Sequence, residues 1–565
     1  MEVFMFGKNI WLKLTVFTII FLLFVLILNT GLADNDERYL SLDKGLFYLK
    51  QVYETISRNY VDNVNPEGLS KSAIQGIVQE LDPYTVFFEK KGSEQLEIIT
   101  KGKYGGLGME IGKREGKITV IAPIDDTPAQ KAGIRAGDNI IKINKESTNG
   151  MSLEKASTML RGKVGTEVTI TIHRPGIDKP ITLTLTREEI LIKDVTFADF
   201  IEEGTTLFRL TSFSDKAESE LRQAIINLQK KGDIERVILD LRGNPGGLLA
   251  SAVEVANLFI PKGELVVSTR GIHEREAKFK TSKNALLPNA QLVVLVDGGS
   301  ASASEIVAGA VQDLDRGVII GSKTFGKGLV QQVKPVDKVN DAFLKITTAK
   351  YYIPSGRCIQ KEDYKKNRDV FLDISDSTES NNHEKYFTRN ARVVYGGGGI
   401  YPDIEIQKET TDQYILALWA RGYFFNFTVD YLAQQPDFQP VNGITVTDDI
   451  LMDFQNYIKE NDIDFEIEGE KQLEEFLEIA HNESYDSDMI DLVTVALEKL
   501  EREKLNKFNK NTNRIRQSLE LEFAEKLDGT SARFATSLKY DKTVDKAVEI
   551  LKSLDQYSQI LAAEN

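Results

Sequence analysis

The chain has 565 residues, of which 41% are hydrophobic and 27% are charged, as in a globular protein that is soluble over most of its length. This length exceeds what one hydrophobic core holds and predicts three or four domains. The net charge of −15 argues against nucleic acid as a partner, because nucleic-acid binding normally depends on basic patches. The single cysteine excludes an internal disulfide and a cysteine-based zinc site.

The N-terminal segment 1–33 differs from the rest. Its residues 14–28, LTVFTIIFLLFVLIL, are uncharged and almost wholly apolar, with two lysines before them and three acidic residues soon after them. This charge asymmetry predicts a cytoplasmic N-terminus and export of the chain that follows, to the periplasm or the extracytoplasmic face of the inner membrane. Gly31 and Ala33 suit cleavage of a signal peptide, whereas an uncut anchor needs about 20 apolar residues, which this segment barely reaches. Both fates stay open.

Two regions follow before residue 189. Apolar side chains recur at helical spacing in 43–60 and 69–81, and LDPY at 81–84 stops the second helix, which predicts a helical module over 34–100. From about residue 101 the pattern changes to short strands and glycine turns with two helical candidates between them. Such a strand-rich region, 101–188, is typical of a compact partial barrel.

The stretch YGGLGMEI, which begins this second region, predicts a binding site for a carboxylate. Its successive glycines precede a strand, so that several backbone N–H groups can converge into a nest. With AGIRAGDNIIKIN (132–144), the region resembles a PDZ domain, which implies capture of C-terminal tails by strand addition. The alternative is a glycine-rich hairpin with no ligand. The resemblance assigns the carboxylate loop to Tyr104, Gly105, Gly106, Leu107, Gly108 and Met109.

Residues 189–405 alternate strands with helices, and the helices are predicted at 215–230, 248–259 and 302–313. Near-continuous apolar strands such as 237–241 and 292–296 predict a sheet that is buried on both faces. The polar run 361–385 predicts a surface insertion. Residues 406–565 form a helical, charged C-terminal extension without a recognisable catalytic pattern.

Two motifs in this region fail at a required position. GSKTFGKG (321–328) nearly matches a phosphate loop, but Gly328 replaces the hydroxyl residue that would bind the metal, and the next residues predict a strand where a helix is needed. HEKYF (383–387) begins like a zinc-protease motif, but Phe387 occupies the position of the second ligand. Neither a nucleotide, a metal nor another cofactor is predicted.

Nucleophilic catalysis by a serine is the remaining type of reaction that the sequence suggests. The stretch GGSASASEIVAG contains three serines, and none of the four histidines has a setting typical of a catalytic base. A lysine can act as the base if burial lowers its pKa. Lys327 lies between two glycines with apolar neighbours, and in a strand over 327–333 it would share one face with Gln331, an uncharged partner for its amine. A surface lysine in a glycine turn is the other interpretation of this local pattern.

Five segments, in order and after a PDZ-like region, resemble the carboxyl-terminal processing proteases. The segments are DLRGNPGG (240–247), SASASEIVAGAVQD (300–313), TFGKGLVQ (324–331), GRCIQ (356–360) and GGIYPDI (398–404). The resemblance covers roughly residues 40–405 and implies a multidomain α/β protein with a ClpP/crotonase-like protease core. It implies that Ser302 is the nucleophile and Lys327 the general base, with Gln331 in support. The backbone N–H groups of Ala303 and Gly247 would bind the oxyanion.

The predicted function is that of an exported serine endopeptidase that binds substrate proteins by their C-terminal tails and needs no metal. A catalytically silent PDZ adaptor is the main alternative; small-molecule binding on a related core would not explain the PDZ region. Arg161, at the end of the second PDZ helix, is either a regulatory contact or an ordinary helix-end cation. An uncut N-terminal segment would add the membrane as a partner. The helices of 43–81 and the region 406–565 are candidate surfaces for a homo-oligomer or an adaptor.

Overall fold

A computed structural model describes residues 41–89, 98, 100–339, 341–361, 384–407, 409–435, 438, 445–461 and 469–563. The chain divides into two compact units, Met1–Phe87 and Phe88–Asn565. The apolar segment 14–28 and most of the polar insertion 361–385 lie outside the described residues, so their predictions stay predictions. Among the described residues, no helix combines the length and the apolar character that crossing a membrane requires.

The first unit contains two helices, α1 (41–59) and α2 (Pro66–Gln79), close to the predicted ranges. Helix α2 begins where it does because the Asn65 side chain accepts hydrogen bonds from the backbone N–H groups of Glu67 and Gly68, and because proline suits the first helical position. No residue of α2 is buried. A short strand, β1 (Val86–Phe88), includes the boundary between the units.

The second unit begins with a small β-domain. Its strands are β2 (Lys103–Gly106), β3 (Met109–Arg114), β4 (Lys117–Pro123), β5 (Asn139–Ile143), β6 (Glu146–Ser147), β7 (Glu167–His173), β8 (Ile181–Thr186) and β9 (Glu188–Leu191), and its helices are α3 (Pro128–Lys131) and α4 (Leu153–Leu160). The main sheet has the order β3-β4-β5-β7-β8, which leaves β3 at an edge, and β2 pairs with β9. Alternate apolar residues of β4 and β7, with Ile140 and Ile143 of β5, contribute to the core.

The largest sheet lies in the next region and has the order β10-β11-β12-β15-β16-β21. All its neighbouring strands are parallel except β10 and β11. The strands of this region are β10 (Val195–Glu202), β11 (Thr205–Leu210), β12 (Arg236–Asp240), β13 (Leu265–Arg270), β14 (Ala277–Lys280), β15 (Gln291–Val296), β16 (Val318–Gly321), β17 (Leu329–Asp337), β18 (Ala342–Tyr352), β19 (Lys385–Phe387), β20 (Val393–Tyr395) and β21 (Ile404–Glu405). Strands β17, β18, β13 and β14 form a second, antiparallel sheet.

Both faces of the large sheet are buried, as its apolar strands predict. On one face, alternate residues such as Val237 and Leu239 pack against α5 (Ala217–Gln229), α6 (Leu249–Ala256) and α7 (Ala303–Asp313). On the other face, Ile238 and its neighbours pack against the two last helices of the chain. The sheet therefore obtains its second cover from the C-terminal extension.

The C-terminal extension is helical, as predicted. Its helices are α8 (Gln413–Ala420), α9 (Tyr423–Gln434), α10 (Asp448–Glu460), α11 (Glu470–Asn482), α12 (Ser487–Lys510), α13 (Thr512–Ser537), α14 (Lys542–Lys552) and α15 (Leu554–Ile560). Helices α8, α9, α10 and α13 share an aromatic-rich core. Helices α14 and α15 instead cover the large sheet, where the Tyr557 hydroxyl donates to Leu292 O (3.2 Å) and accepts from Leu292 N (3.0 Å).

Candidate active site

Ser302 occupies the sharp turn that connects strand β15 to helix α7. It is the residue that precedes the first helical residue, and its backbone has φ 56° and ψ −110°. A serine in this region of φ/ψ space is strained, at a cost on the order of 1–3 kcal/mol. A strained serine between a strand and a helix N-terminus is the arrangement that exposes a nucleophile in hydrolases. In the first helical turn the backbone N–H of Ser304 donates to Ala301 O at 3.1 Å, and the role of the neighbouring Ala303 N–H as an oxyanion donor stays a prediction.

The Glu305 carboxylate joins this turn to the loop that carries Lys327. One oxygen accepts from the backbone N–H groups of Ser302 (2.8 Å) and Lys327 (2.9 Å). The other oxygen accepts from the Thr324 hydroxyl (2.6 Å) and from the backbone N–H of Gly326 (2.7 Å). Glu305 is fully buried; burial raises its pKa, and the four hydrogen bonds oppose that rise. One carboxylate therefore fixes the backbones of both predicted catalytic residues.

Tyr351, on strand β18, makes a second connection between the same two backbones. Its hydroxyl lies 3.1 Å from Ser302 O and also contacts Lys327 O, and it can donate its one proton to either carbonyl. The side chain of Tyr351 is only 1% exposed. The segments that carry Ser302 and Lys327 are thus held together from two sides, by Glu305 at their N–H groups and by Tyr351 at their carbonyls.

The strand that follows Lys327 begins at Leu329, so the prediction of a strand from residue 327 was wrong. The cause is that backbone donors before Leu329 are used elsewhere: Lys327 N donates to Glu305, and Gly328 N donates to Gln360 Oε1 at 2.8 Å. A register shift after Val330 further breaks the simple alternation of faces along β17. The Nε2 of Gln331 donates to the Thr347 hydroxyl at 3.4 Å, and its support of Lys327 stays a prediction.

The loop 241–247 lies against Ser302. A Cβ added to Gly246, whose φ is 97°, would lie 2.8 Å from both Ala303 N and Ser302 Cβ, so only glycine allows this approach. Gly247 forms a bridge with Phe213 at the other side of the loop. The predicted oxyanion donors, the backbone N–H groups of Ala303 and Gly247, therefore belong to segments that meet at Ser302.

The two serines on either side of Ser302 attach this loop to the nucleophile segment. The Ser300 hydroxyl donates to Leu241 O (2.8 Å), and the Ser304 hydroxyl donates to Asn244 O (2.9 Å). The backbone N–H of Ala301 donates to the same Asn244 carbonyl at 3.0 Å. The sequence does not predict this role, because the acceptors of the two hydroxyls lie some 60 residues away in the chain.

A network of ion pairs fixes the start of loop 241–247. Arg242 donates to both oxygens of Asp240, from Nε at 2.9 Å and from Nη2 at 2.8 Å. It also donates to both oxygens of Asp541, at 3.0 and 2.7 Å, and Asp541 comes from the C-terminal extension. Although burial alone would lower the pKa of Arg242, its hydrogen bonds and charge interactions with the two aspartates raise that pKa. Asp240 and Arg242 thus brace the loop.

The predicted carboxylate loop lies at one end of a groove between strand β3 and helix α4. The groove encloses a cavity of about 230 Å³. Its lining includes Tyr104, Leu107, Gly108 and Met109 of the predicted set, and further apolar side chains from both elements. Gly105 and Gly106 lie in strand β2 beside it. An edge strand next to a cavity with apolar side chains in its lining is what strand addition by an extended peptide requires.

Arg161 follows the last residue of α4 and lines the same groove. Its guanidinium lies 5.1 Å from the centre of the Tyr104 ring, within the range of a cation–π interaction. Burial raises the pKa of Tyr104, and the charge of Arg161 opposes that rise. The structure therefore places Arg161 at the peptide groove, and its regulatory role stays a prediction.

Of the two failed motifs, the phosphate-loop-like sequence has the local structure that its residues predict, a strand in place of a helix. Strand β16 ends at Gly321 and strand β17 begins at Leu329, so no helix N-terminus follows the phosphate-loop-like sequence. His383 lies outside the described residues, and Phe387 is the last residue of strand β19. In the part of the chain that the structure describes, no three or more His, Cys, Asp or Glu side chains are grouped so that they could hold a metal ion.

Four family models match the chain. Peptidase family S41 matches residues 204–370, and the PDZ domain model matches residues 95–173. The model described as the N-terminal domain of the activating protease CtpB matches residues 29–92, and the one described as the C-terminal helical domain of a probable PDZ-protease matches residues 414–551. Together these models extend over the N-terminal helices, the small β-domain that contains the groove, the region of the large sheet and the C-terminal extension.

Curated relatives are similar over more than half of the chain. A carboxy-terminal-processing protease of Bartonella bacilliformis is 39% identical over 340 residues, which cover 60% of this chain and 77% of that protein. The carboxy-terminal processing protease CtpB of Bacillus subtilis is 35% identical over 339 residues, which cover 59% and 68%. The solved structure of a photosystem II D1 C-terminal processing protease is 27% identical and covers 64% of this chain and 92% of its own, with a TM-score of 0.34.

Proposed function

This chain belongs to the carboxy-terminal processing proteases of peptidase family S41, and from that membership we propose that it is an exported serine endopeptidase that cuts proteins near their C-termini. In this proposal Ser302 is the nucleophile and Lys327 is the general base. The observation that carries it is the double connection of their backbones, through the four hydrogen bonds of Glu305 and through the Tyr351 hydroxyl. Such fixed geometry is what acyl transfer between a serine and its base needs.

The proposed reaction has two stages. The neutral amine of Lys327 accepts the proton of the Ser302 hydroxyl while Oγ forms a bond to the scissile carbonyl carbon. The carbonyl oxygen becomes an oxyanion, which accepts hydrogen bonds from the backbone N–H groups of Ala303 and Gly247. The C–N bond then breaks, Lys327 gives its proton to the leaving amine, and an acyl-enzyme remains. Water releases the acyl group by the same steps, with Lys327 again as the base.

The groove next to β3 is proposed to bind the C-terminal tail of the substrate. The tail would extend the sheet at the edge strand β3, and its carboxylate would meet the backbone N–H groups of the loop 104–109. The apolar lining, which includes Leu107, Met109 and Leu160, predicts a preference for apolar tail residues. Binding at the groove would present the preceding part of the substrate to Ser302.

Export is proposed from the N-terminal segment alone. Residues 14–28 are apolar, with lysines before them and acidic residues after them. The proposal gives the catalytic region an extracytoplasmic location, with or without retention at the membrane. Cell fractionation of the tagged full chain, with accessibility to protease added outside the cytoplasmic membrane, tests it; protection of the whole chain from that protease would contradict it.

Cleavage of an unfolded protein with an apolar C-terminal tail tests the enzymatic proposal. The full chain is compared with Ser302→Ala, Lys327→Ala and His273→Ala; His273 lies in an exposed turn. We expect the two catalytic variants to lose at least about a thousandfold in rate, because a nucleophile and its base act as one unit. His273→Ala and an added chelator should change nothing. If the unaltered chain bound C-terminal peptides but cut no substrate, the adaptor would replace the protease as the proposed function.

A further inference from the structure

The contact between Asp541 and Arg242 connects the C-terminal extension to the loop beside Ser302. It is bidentate, with N–O distances of 3.0 and 2.7 Å, and each of the two side chains is only 16% exposed. Partly buried bidentate pairs of this kind hold their geometry better than exposed ion pairs do. The two residues are separated by 299 positions in the sequence, so only the fold brings them together.

Arg242 connects Asp541 to loop 241–247. Its guanidinium lies between Asp541 and the fully buried Asp240, which ends strand β12 and also receives a hydrogen bond from Arg209 at 3.2 Å. The backbone N–H of Arg242 donates to the same Asp240 carboxylate at 3.0 Å. Arg242, near the start of loop 241–247, is therefore held at both its backbone and its side chain. Four residues later the chain reaches Gly246, which contacts Ser302.

Asp541 is itself held in place by its own helix. Its Oδ1 accepts from the backbone N–H groups of Thr543 (3.0 Å) and Val544 (3.1 Å), so it caps α14. Helix α14 in turn packs on the large sheet through Val544, Ala547 and Ile550. A carboxylate that caps a docked helix has little freedom to move, which makes it a suitable anchor for Arg242.

We propose that Asp541 is a positioning residue that holds loop 241–247, through Arg242, in the geometry that aims the Gly247 N–H at the oxyanion. The C-terminal extension would then be part of the catalytic apparatus as well as a cover for the sheet. The inference rests on the proposed function, in which this loop supplies an oxyanion donor. Its physical basis is that such donors act only when they are held within about 0.5 Å of their productive position.

Asp541→Asn is the informative substitution, because asparagine keeps the oxygen that caps α14 and that accepts from Arg242 Nη1, but it loses the negative charge and replaces the oxygen that accepts from Arg242 Nη2 with an NH₂ group, which cannot accept. Lys552→Gln is the matched control. Lys552, at the end of the same helix, forms an ion pair with Glu202 at the edge strand β10, away from the loop. Each variant affects one ion pair at an end of α14: Asp541→Asn the pair with Arg242 in the loop after β12, and Lys552→Gln the pair with Glu202 in strand β10.

Two measurements on the full chain separate this inference from the proposed function. Hydrogen exchange of the backbone amides in residues 241–248 reports the order of the loop and needs no activity. Cleavage of a tailed substrate gives kcat and KM. We expect Asp541→Asn to exchange faster in this segment and to lose about tenfold in kcat with KM unchanged, since removal of a whole oxyanion donor costs roughly a hundredfold or more. Lys552→Gln should match the unaltered chain in both.

Exchange in residues 241–248 that is equal in Asp541→Asn and the unaltered chain would overturn the inference, as would an equal change in Lys552→Gln. Faster exchange without a fall in kcat would also overturn it, because the loop would then not depend on Asp541 for catalysis. If the unaltered chain cut no substrate, the proposed function would fail, and with it the claim that Asp541 serves catalysis. The exchange result would still decide whether Asp541 orders the loop.

Discussion

The segments around Ser302 and Lys327, proposed above to be catalytic and called the catalytic loops below, differ in construction from the groove beside β3 that is proposed to bind peptide tails. At the catalytic loops, separate segments (241–247, 300–305 and 324–328) are joined by buried hydrogen bonds, and Ser302 has a strained backbone. The groove consists of an edge strand and a helix with an open cavity between them. Chemistry requires atoms fixed to a fraction of an ångström, whereas strand addition requires an unfilled edge. The two sites should therefore respond differently to substitution.

Gly246→Ala should have the largest effect, because it enters the most crowded contact of the catalytic loops. The new Cβ would lie 2.6 Å from Ala301 O and 2.8 Å from Ser302 Cβ. We expect the free energy of unfolding to fall by about 1–3 kcal/mol and the cleavage rate to fall at least about a hundredfold. Thermal unfolding and a cleavage assay measure the two effects.

Gly263→Ala is its matched control. Gly263 has a φ of 94°, close to that of Gly246, but nothing lies within 4 Å of its added Cβ. This variant should lose only about 1 kcal/mol of stability and keep its activity. Equal losses of activity in both variants would show that backbone strain, and not the contact with Ser302, decides the outcome.

Glu305→Gln should have the next largest effect. Glutamine keeps one acceptor oxygen but replaces the other with an NH₂ group, which faces N–H groups from which the Glu305 carboxylate accepts hydrogen bonds. At least one buried backbone N–H group therefore loses its partner. We expect kcat to fall roughly a hundredfold, as for the loss of one fixed dipole at a reacting centre, with a loss of about 1–3 kcal/mol in stability. Glu220→Gln is the control: its carboxylate also accepts from two backbone N–H groups, those of Asp194 and Val195, and neither of them belongs to the segments around Ser302 and Lys327.

The raised pKa of Glu305 gives this prediction a pH dependence. Its folded-state pKa lies above the ordinary value of 4.5, so the folded chain binds the proton more readily than the unfolded chain does. The contribution of Glu305 to stability is therefore fully present below about 4.5 and is lost as the pH rises through the folded pKa. The stability of the unaltered chain relative to that of Glu305→Gln, measured by denaturant unfolding from pH 4 upward, should therefore fall as the pH rises. A relative stability that increases with pH would contradict this prediction.

Tyr351→Phe should have a smaller effect on the same loops, because it removes only a hydroxyl. The ring keeps its buried packing, and the Glu305 connection stays in place. We expect kcat to fall about tenfold or less with KM unchanged, since a net hydrogen bond contributes about 1 kcal/mol. Tyr352→Phe, the neighbour on the opposite face of β18, should have no such effect. A change in KM alone would place Tyr351 at substrate binding instead.

Arg161→Gln should have the smallest effect, because it changes the open groove and not the fixed loops. It removes the cation from the Tyr104 ring at the groove. We expect a KM a few-fold higher for a tailed substrate, from a cation–π contact of about 0.5–1 kcal/mol, and an unchanged kcat. Lys155→Gln on the same helix is the control. A fall in kcat instead would favour the regulatory interpretation of Arg161.

The sequence by itself determined the order of the domains and the family, because these depend on local patterns. Apolar runs such as 292–296 predict a buried strand wherever they occur, and the five short segments around Ser302 and Lys327 keep their spacing in the chain. The helix that begins after Ser302 and the strand in place of a helix after Gly328 could also be predicted, since each depends on residues close in sequence.

Only the tertiary structure decided how these segments meet. Three of the four donors to Glu305, those of Thr324, Gly326 and Lys327, come from 19 to 22 positions away, the two carbonyls at Tyr351 come from up to 49 positions away, and the Asp541–Arg242 pair spans 299. No periodicity encodes such contacts, because hydrogen bonds depend on distance in space and not in sequence. Strand β17 begins at Leu329, and not at the predicted residue 327, for the same reason. The backbone N–H of Lys327 donates to the buried carboxylate of Glu305, which belongs to another segment.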